Sequence, residues 1–178
     1  MSRVQAARVL ERFFRPLAGL RCWGVRQGWG SFLTFELGSP RPEPLRPRPK
    51  PSAVEHEEQP VLVRGDHHLW VEQCEWTIKN PEQPLIESED DRGLIAEALE
   101  QLDGQVIQSV QLVPFIGLFT IRFERGSSLL LRRYDDHEPD DDLWSLFSPQ
   151  WTLSYRASGH LELPGGRLVD CEDVEIVL

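Results

Sequence analysis

The residues of this chain that could do chemistry gather in a few places. Asp135, Asp136, His137, Glu138, Asp140, Asp141 and Asp142 crowd around Pro139. Carboxylates at that density suit a hard cation such as Ca²⁺, which takes roughly six to eight oxygens, or a basic protein surface. They lack the Asp-x-Asp-x-Asp-Gly order and distal Glu of a calcium loop. The plainest expectation is a solvated loop, and the functional one is a partner-binding patch made of Asp135, Asp136, Glu138, Asp140, Asp141 and Asp142. Asp66, His67 and His68 stand near Cys74, with His56 upstream. Zinc needs three or four converging ligands, but adjacent histidines on a strand project to opposite faces. No metal and no cofactor is therefore expected.

Nucleophilic catalysis would need Ser, Cys or Thr held beside a histidine and a carboxylate. The residue types are present, but no Gly-x-Ser-x-Gly elbow frames them. Gly28-Trp29-Gly30-Ser31 resembles a phosphate loop only in its glycines, since the Lys-Ser/Thr pair and the following helix are missing. The reading is a non-enzyme. Of the six tryptophans, Trp70, Trp76, Trp144 and Trp151 are expected as core anchors. Trp29, in a glycine turn, is the expected exposed one and the best single partner contact.

These groups have to be positioned by strands. In Gly30-Ser31-Phe32-Leu33-Thr34-Phe35-Glu36-Leu37-Gly38, the side chains of Leu33, Phe35 and Leu37 share one face while Thr34 and Glu36 take the other. A second copy of this pattern begins 86 positions after Leu33, with Phe119, Ile121 and Phe123 in the apolar places and Thr120 and Arg122 in the polar ones. Upstream, Leu17-Ala18-Gly19 matches Leu102-Asp103-Gly104. Downstream, Leu69-Trp70 matches Leu143-Trp144, and Trp76-Thr77-Ile78 matches Trp151-Thr152-Leu153, all in the same order. The chain reads as α+β, mainly antiparallel β: two related β units sharing one core in a single domain over residues 1–178.

The expected division is an N-terminal helix at 1–16, a first β unit at 17–80 and a second at 104–178, with a linking helix at 88–103 between them. Val4, Ala7, Leu10 and Phe14 give the first helix its apolar stripe. Ser88 with Asp91 suggests an N-cap for the second, and Gly104 its C-terminal turn. A Pro-rich insertion at 39–59 interrupts the first unit. Prolines at 40, 42, 44, 47, 49 and 51, interleaved with Arg41, Arg46, Arg48 and Lys50, predict polyproline II, which is expected as a stiff spacer.

At 178 residues with a net charge of −10, the chain is long enough for a full core. The charge is partitioned. Residues 1–51 carry ten Lys/Arg against three Asp/Glu, a net of +7, and residues 52–178 carry nine against 26, a net of −17. An acidic bulk disfavours nucleic acid as the main ligand and favours a basic protein partner. Three scattered cysteines, Cys22, Cys74 and Cys171, suit free thiols in a reducing cytoplasm. No run long enough to span a membrane is present, so a soluble, uncleaved protein is expected.

Leu17, Gly19, Leu20, Cys22, Trp23 and Val25, then the stretch from Gly30 to Gly38, then His68-Leu69-Trp70-Val71 with Cys74 and Trp76, resemble a group of uncharacterised bacterial proteins. The resemblance covers about the first 80 residues and implies no active-site residues. In size and charge the chain is also similar to immunity proteins that neutralise bacterial toxins. The expected function is thus a non-catalytic protein-binding module, immunity-like in its most concrete form. A hydrolase or metal-dependent enzyme with a site assembled from distant residues, and a scaffold docking through its polyproline segment, are the alternatives.

Overall fold

A computed structural model describes residues 3–43, 62–113, 117–134, 138–171 and 176–177, with residues 3–6 and 176–177 described by their backbone alone. In chain order the elements are helix α1 (Arg3–Phe14) with a 3-10 turn (Arg15–Leu17), β1 (Cys22–Gln27), β2 (Leu33–Leu37), β3 (Arg41–Glu43), β4 (Leu62–Arg64), β5 (His67–Val71), β6 (Glu75–Lys79), β7 (Ile86–Glu87) and helix α2 (Arg92–Leu102). There follow β8 (Ile107–Val113), β9 (Leu118–Phe123), β10 (Ser128–Arg132), β11 (Asp142–Phe147), β12 (Thr152–Arg156), β13 (His160–Leu163), β14 (Arg167–Asp170) and β15 (Ile176–Val177).

All strand pairs are antiparallel. One sheet runs β1-β2-β5-β11-β12-β13-β14, a second runs β15-β8-β9-β10-β6-β7, and β3-β4 is a separate ribbon. The alternation in β2 sends Leu33, Phe35 and Leu37 inward, each at most 1% exposed. Phe119, Ile121 and Phe123 do the same from the other sheet. The two inner faces meet where Phe119 stacks on Trp144 with centroids 4.5 Å apart. Phe14 of α1 inserts beside both rings, at 5.7 and 6.0 Å. With Leu10 also fully buried, the i, i+4 spacing is what docks this helix.

Part of the strand order is similar in the two halves of the chain. β1, β2 and β5 lie side by side in the first sheet before the chain crosses to β6 and β7; β8, β9 and β10 lie side by side in the second before it crosses back to β11 and β12. At the corner where the sheets meet, Gly19 N–H bonds to Ile107 O while Gly104 N–H bonds to Cys22 O, and Cys22 N–H bonds to Gln105 O while Ile107 N–H bonds to Leu20 O. Each bond becomes its partner when residue numbers are exchanged by 85. The hairpin registers agree too, Cys22↔Leu37 and Arg26↔Thr34 against Ile107↔Phe123 and Gln111↔Thr120. The tryptophan pieces do not follow. Leu69-Trp70 lies on β5 and Leu143-Trp144 on β11, which are neighbours in one sheet.

Helix α2 differs from the expected span. Its N-cap is Asp91, whose carboxylate accepts from Gly93 N–H, because Ser88 N–H is bonded to Trp76 O and so continues the β6–β7 pairing. The Pro-rich stretch also differs at its start. Arg41–Glu43 is a strand paired with Leu62–Arg64, an arrangement Pro42 tolerates because a two-stranded ribbon leaves one side of each strand unpaired. Residues 44–61, which hold the prolines at 44, 47, 49 and 51, lie outside the described residues.

Two glycines fasten the ribbon to the sheet. Gly38, at φ +89°, turns the chain out of β2. Gly65 returns it to β5 so closely that a Cβ there would lie 2.5 Å from Leu37 O and 2.7 Å from Leu37 N. Backbone cannot move aside as a side chain can. Gly65→Ala is therefore expected to cost more than about 1 kcal/mol, read as a lower midpoint in urea unfolding, whereas Gly19→Ala, strained in φ alone, should cost less.

Candidate functional site

The outer face of the seven-stranded sheet is where polar and aromatic side chains converge. Cross-strand pairing puts Glu36, His68, Phe147 and Thr152 in one row and Thr34, Trp70, Ser145, Ser154 and Glu162 in the next. The β3–β4 ribbon, which joins β2 to β5, and the Ser148–Trp151 turn, which joins β11 to β12, leave the same end of the sheet side by side. Between them is an open groove of about 850 Å³. Its floor is Thr34, His68 and Trp70, and its walls carry Arg41, Glu43, Arg64 and Asp66 on one side and Phe147 and Gln150 on the other.

Glu36 is the anchor. Only 7% exposed, its carboxylate accepts from Arg64 Nη1 at 2.7 Å and Gly65 N–H at 2.8 Å, and lies 2.9 Å from His68 Nδ1. Burial pushes its pKa up, but the bonds from His68, Gly65 and Arg64 prevail and hold it at about 2. A carboxylate on Nδ1 fixes the tautomer and orientation of a histidine. Here, however, the same oxygen is shared with Arg64, whose Nη1 is 3.3 Å from the same ring nitrogen. The group ties the ribbon to the sheet. Beside it Arg41 pairs with Asp66, which also accepts from Ser39 N–H.

His67 takes the opposite face from His68, as strand geometry requires. Its ring lies 5.4 Å from that of Trp151. Its Nδ1 is buried without a hydrogen-bond partner, and burial lowers its pKa. Cys74 is fully buried, and desolvation pushes its thiol up, as it does for Cys22 and Cys171. Among the described residues no three His, Cys, Asp or Glu side chains are grouped to hold a metal ion.

Of the acidic loop, Asp135 and Asp136 lie outside the described residues. Glu138 is exposed, and Asp140 has 94% of its side chain in solvent. Asp141 closes the turn by accepting from Glu138 N–H. Asp142 starts β11 with its carboxylate 3.7 Å from Arg156, which also faces Asp140 at 3.4 Å and pairs with Glu162. Burial, together with Glu162 and Asp141, raises the Asp142 pKa against the pull of Arg156; burial and Asp142 raise that of Glu72. Five carboxylates, those of Glu138, Asp140, Asp141, Asp142 and Glu162, stand at this corner against the guanidiniums of Arg156 and Arg133.

Trp29 is 87% exposed, at the tip of a turn held by Arg92 on Gly28 O and Gln27 on Gly30 O. Trp76 and Trp144 are core residues, but Trp70 is 38% exposed. The cause is a bulge between Asp142 and Trp144 in the β11–β12 register. It breaks the alternation so that Leu143 and Trp144 are both buried, while the regular strand β5 buries Leu69 and turns Trp70 outward. The groove escaped the sequence reading because its residues come from six strands and two turns. The only local signal was a glutamate on the polar face of an apolar strand.

Comparison with protein families, curated proteins and solved structures returns no match. Function has to be argued from the site itself. Among the described residues no helix is long and apolar enough to cross a membrane.

Proposed function

We propose that the chain is a non-catalytic binding module that presents acidic loops to a basic protein partner in the cytoplasm, with neutralisation of a bacterial toxin as its most concrete form. The observation that carries it is the exposed corner at Glu138 and Asp140, where the carboxylates of Glu138, Asp140, Asp141, Asp142 and Glu162 outnumber the guanidiniums of Arg156 and Arg133. Trp29 offers an aromatic contact on a separate turn. Unneutralised charge speeds encounter with an oppositely charged surface and would occlude a basic active site.

The paired charge reversal Glu138→Lys with Asp140→Lys tests this at little expense to the fold, since both side chains are exposed, Asp142 and Glu162 still pair with Arg156, and Asp141 closes the turn. Association with the basic protein that co-purifies from the native cell should slow by about tenfold at low salt, measured by surface plasmon resonance. An unchanged on-rate would sink the proposal.

We also propose that the two halves are related units. The 85-residue exchange of the backbone bonds between residues 19–22 and 104–107 supports this. So does the shared register of β1–β2 and β8–β9. Function then belongs where the halves differ. The ribbon inserted between β2 and β5 has only the short turn between β9 and β10 as its counterpart, and the position equivalent to Glu36 is the exposed Arg122.

A further inference from the structure

We infer that the groove between the β3–β4 ribbon and the Ser148–Trp151 turn is a binding site for a neutral, polyhydroxylated ligand, an oligosaccharide segment with one pyranose ring flat on Trp70. This goes beyond the acidic-corner proposal and stands on different residues.

The volume comes first. About 850 Å³ lies within the range of roughly 300–1,000 Å³ that small-ligand sites occupy. The floor holds a large ring, Trp70, 38% exposed on a face whose other members in the same row are Thr34, Ser145, Ser154 and Glu162. Phe147 braces it at 6.4 Å with the planes inclined at 41°. A partly exposed indole among polar side chains offers apolar ring surface, and the C–H face of a sugar ring is the apolar surface that matches it without displacing the surrounding polar groups.

Charge then discriminates among ligands. The guanidiniums of Arg41 and Arg64 are matched by Asp66 and Glu36 within the groove wall, with Glu43 3.7 Å from Arg64. An anion entering would face Glu43 and Asp66, and a cation would face Arg41 and Arg64. An apolar peptide would strip water from all four with nothing in return. Hydroxyl groups both donate and accept. A polyol can donate to Glu43 while accepting from Arg64, and can reach the hydroxyls of Thr34 and Thr152 and the amide of Gln150 around the ring.

Position in the fold adds to this. The ribbon and Glu36 are the features of the first half that the second half lacks. Glu36 is spent on fastening the ribbon in place, so the wall is fixed before a ligand arrives, which limits the ordering cost of binding.

The full-length protein is titrated with maltotriose, cellotriose and triacetylchitotriose, followed by tryptophan fluorescence and by ¹H–¹⁵N spectra. Saturable binding of at least one, in the millimolar range or tighter, is expected, with shifts confined to groove residues. Trp70→Ala should weaken it by about tenfold or more, Glu43→Gln should weaken it several-fold while leaving the melting temperature unchanged, and Trp29→Ala should leave binding as it was. The proposal is overturned if none of the three trisaccharides saturates the protein, if binding survives Trp70→Ala in a folded variant, or if a basic proline-rich peptide occupies the Trp70 site and the saccharides do not.

Discussion

Replacing Glu36 by alanine is expected to remove about 2–3 kcal/mol of folding stability, the largest effect of any polar substitution on the outer sheet face. Three groups lose their acceptor at once. Gly65 N–H is buried and loses its carboxylate acceptor, and His68, with 15% of its side chain exposed, is left beside the guanidinium of Arg64. Arg64 itself is 39% exposed and can turn to water, which keeps the cost below that of breaking a fully buried pair. Glu36→Gln preserves shape and one acceptor and should cost about half as much. The pH dependence separates the two causes. Folding holds the Glu36 pKa at about 2 against an ordinary 4.5, so between those values the unfolded chain binds more protons than the folded one. Its contribution is complete above the ordinary value and is lost as pH falls through the folded one. Urea unfolding from pH 6 down to pH 2 should show that limb in the natural sequence and a flatter one in Glu36→Gln. If both variants unfold at the natural midpoint, the carboxylate is not what holds the ribbon.

Glu36 also marks the boundary of what the sequence could tell. The alternation of β2 and of its counterpart β9 was legible because each strand needs only its own residues to declare which face is apolar. The similarity between residues 17–38 and 102–124 was legible for the same reason, and the proposal that the halves are related rests on it together with the exchanged hydrogen bonds at residues 19–22 and 104–107. The partners of Glu36 were not legible. Arg64 and His68 reach it only because β5 pairs with β2 across the ribbon, and pairing of distant strands leaves no trace in local periodicity. Pro42 misled for a related reason, since proline spacing reads as polyproline II unless a partner strand is known to lie alongside. In Asp135–Asp142 the composition was plain, but composition cannot say that Asp141 closes a turn while Asp140 and Asp142 converge on Arg156.

Truncating Trp144 to alanine should cost about 3–5 kcal/mol, the largest loss among single core substitutions, with a drop in Tm of about 10 °C or more. Trp144 is 1% exposed and touches each layer of the molecule. It stacks on Phe119 of the opposite sheet at 4.5 Å and on Tyr155 of its own sheet at 5.5 Å, and meets Phe14 of α1 edge-on at 6.0 Å. A cavity there cannot be filled from one side, because the strands on both sides are fixed by their ladders. Trp144→Phe keeps a ring in place and should lose less than half as much. Trp29→Ala, at a site 87% exposed, should stay within about 0.5 kcal/mol. A double-mutant cycle between Phe14→Leu and Trp144→Phe, followed by urea unfolding, should give a coupling of about 0.5–1.5 kcal/mol. Coupling of that size would mean that α1 belongs to the core and stabilises the sheet pair. Additive losses, or a cost below about 1 kcal/mol for Trp144→Ala, would mean that the two sheets and the helix are held by other contacts. The outcome bears on Trp70 as well. The bulge that turns Trp144 into the core is what distinguishes it from Trp70 on the neighbouring strand, so a core that depends on Trp144 while Trp70→Ala leaves stability nearly unchanged would leave the outward-facing indole without a folding role.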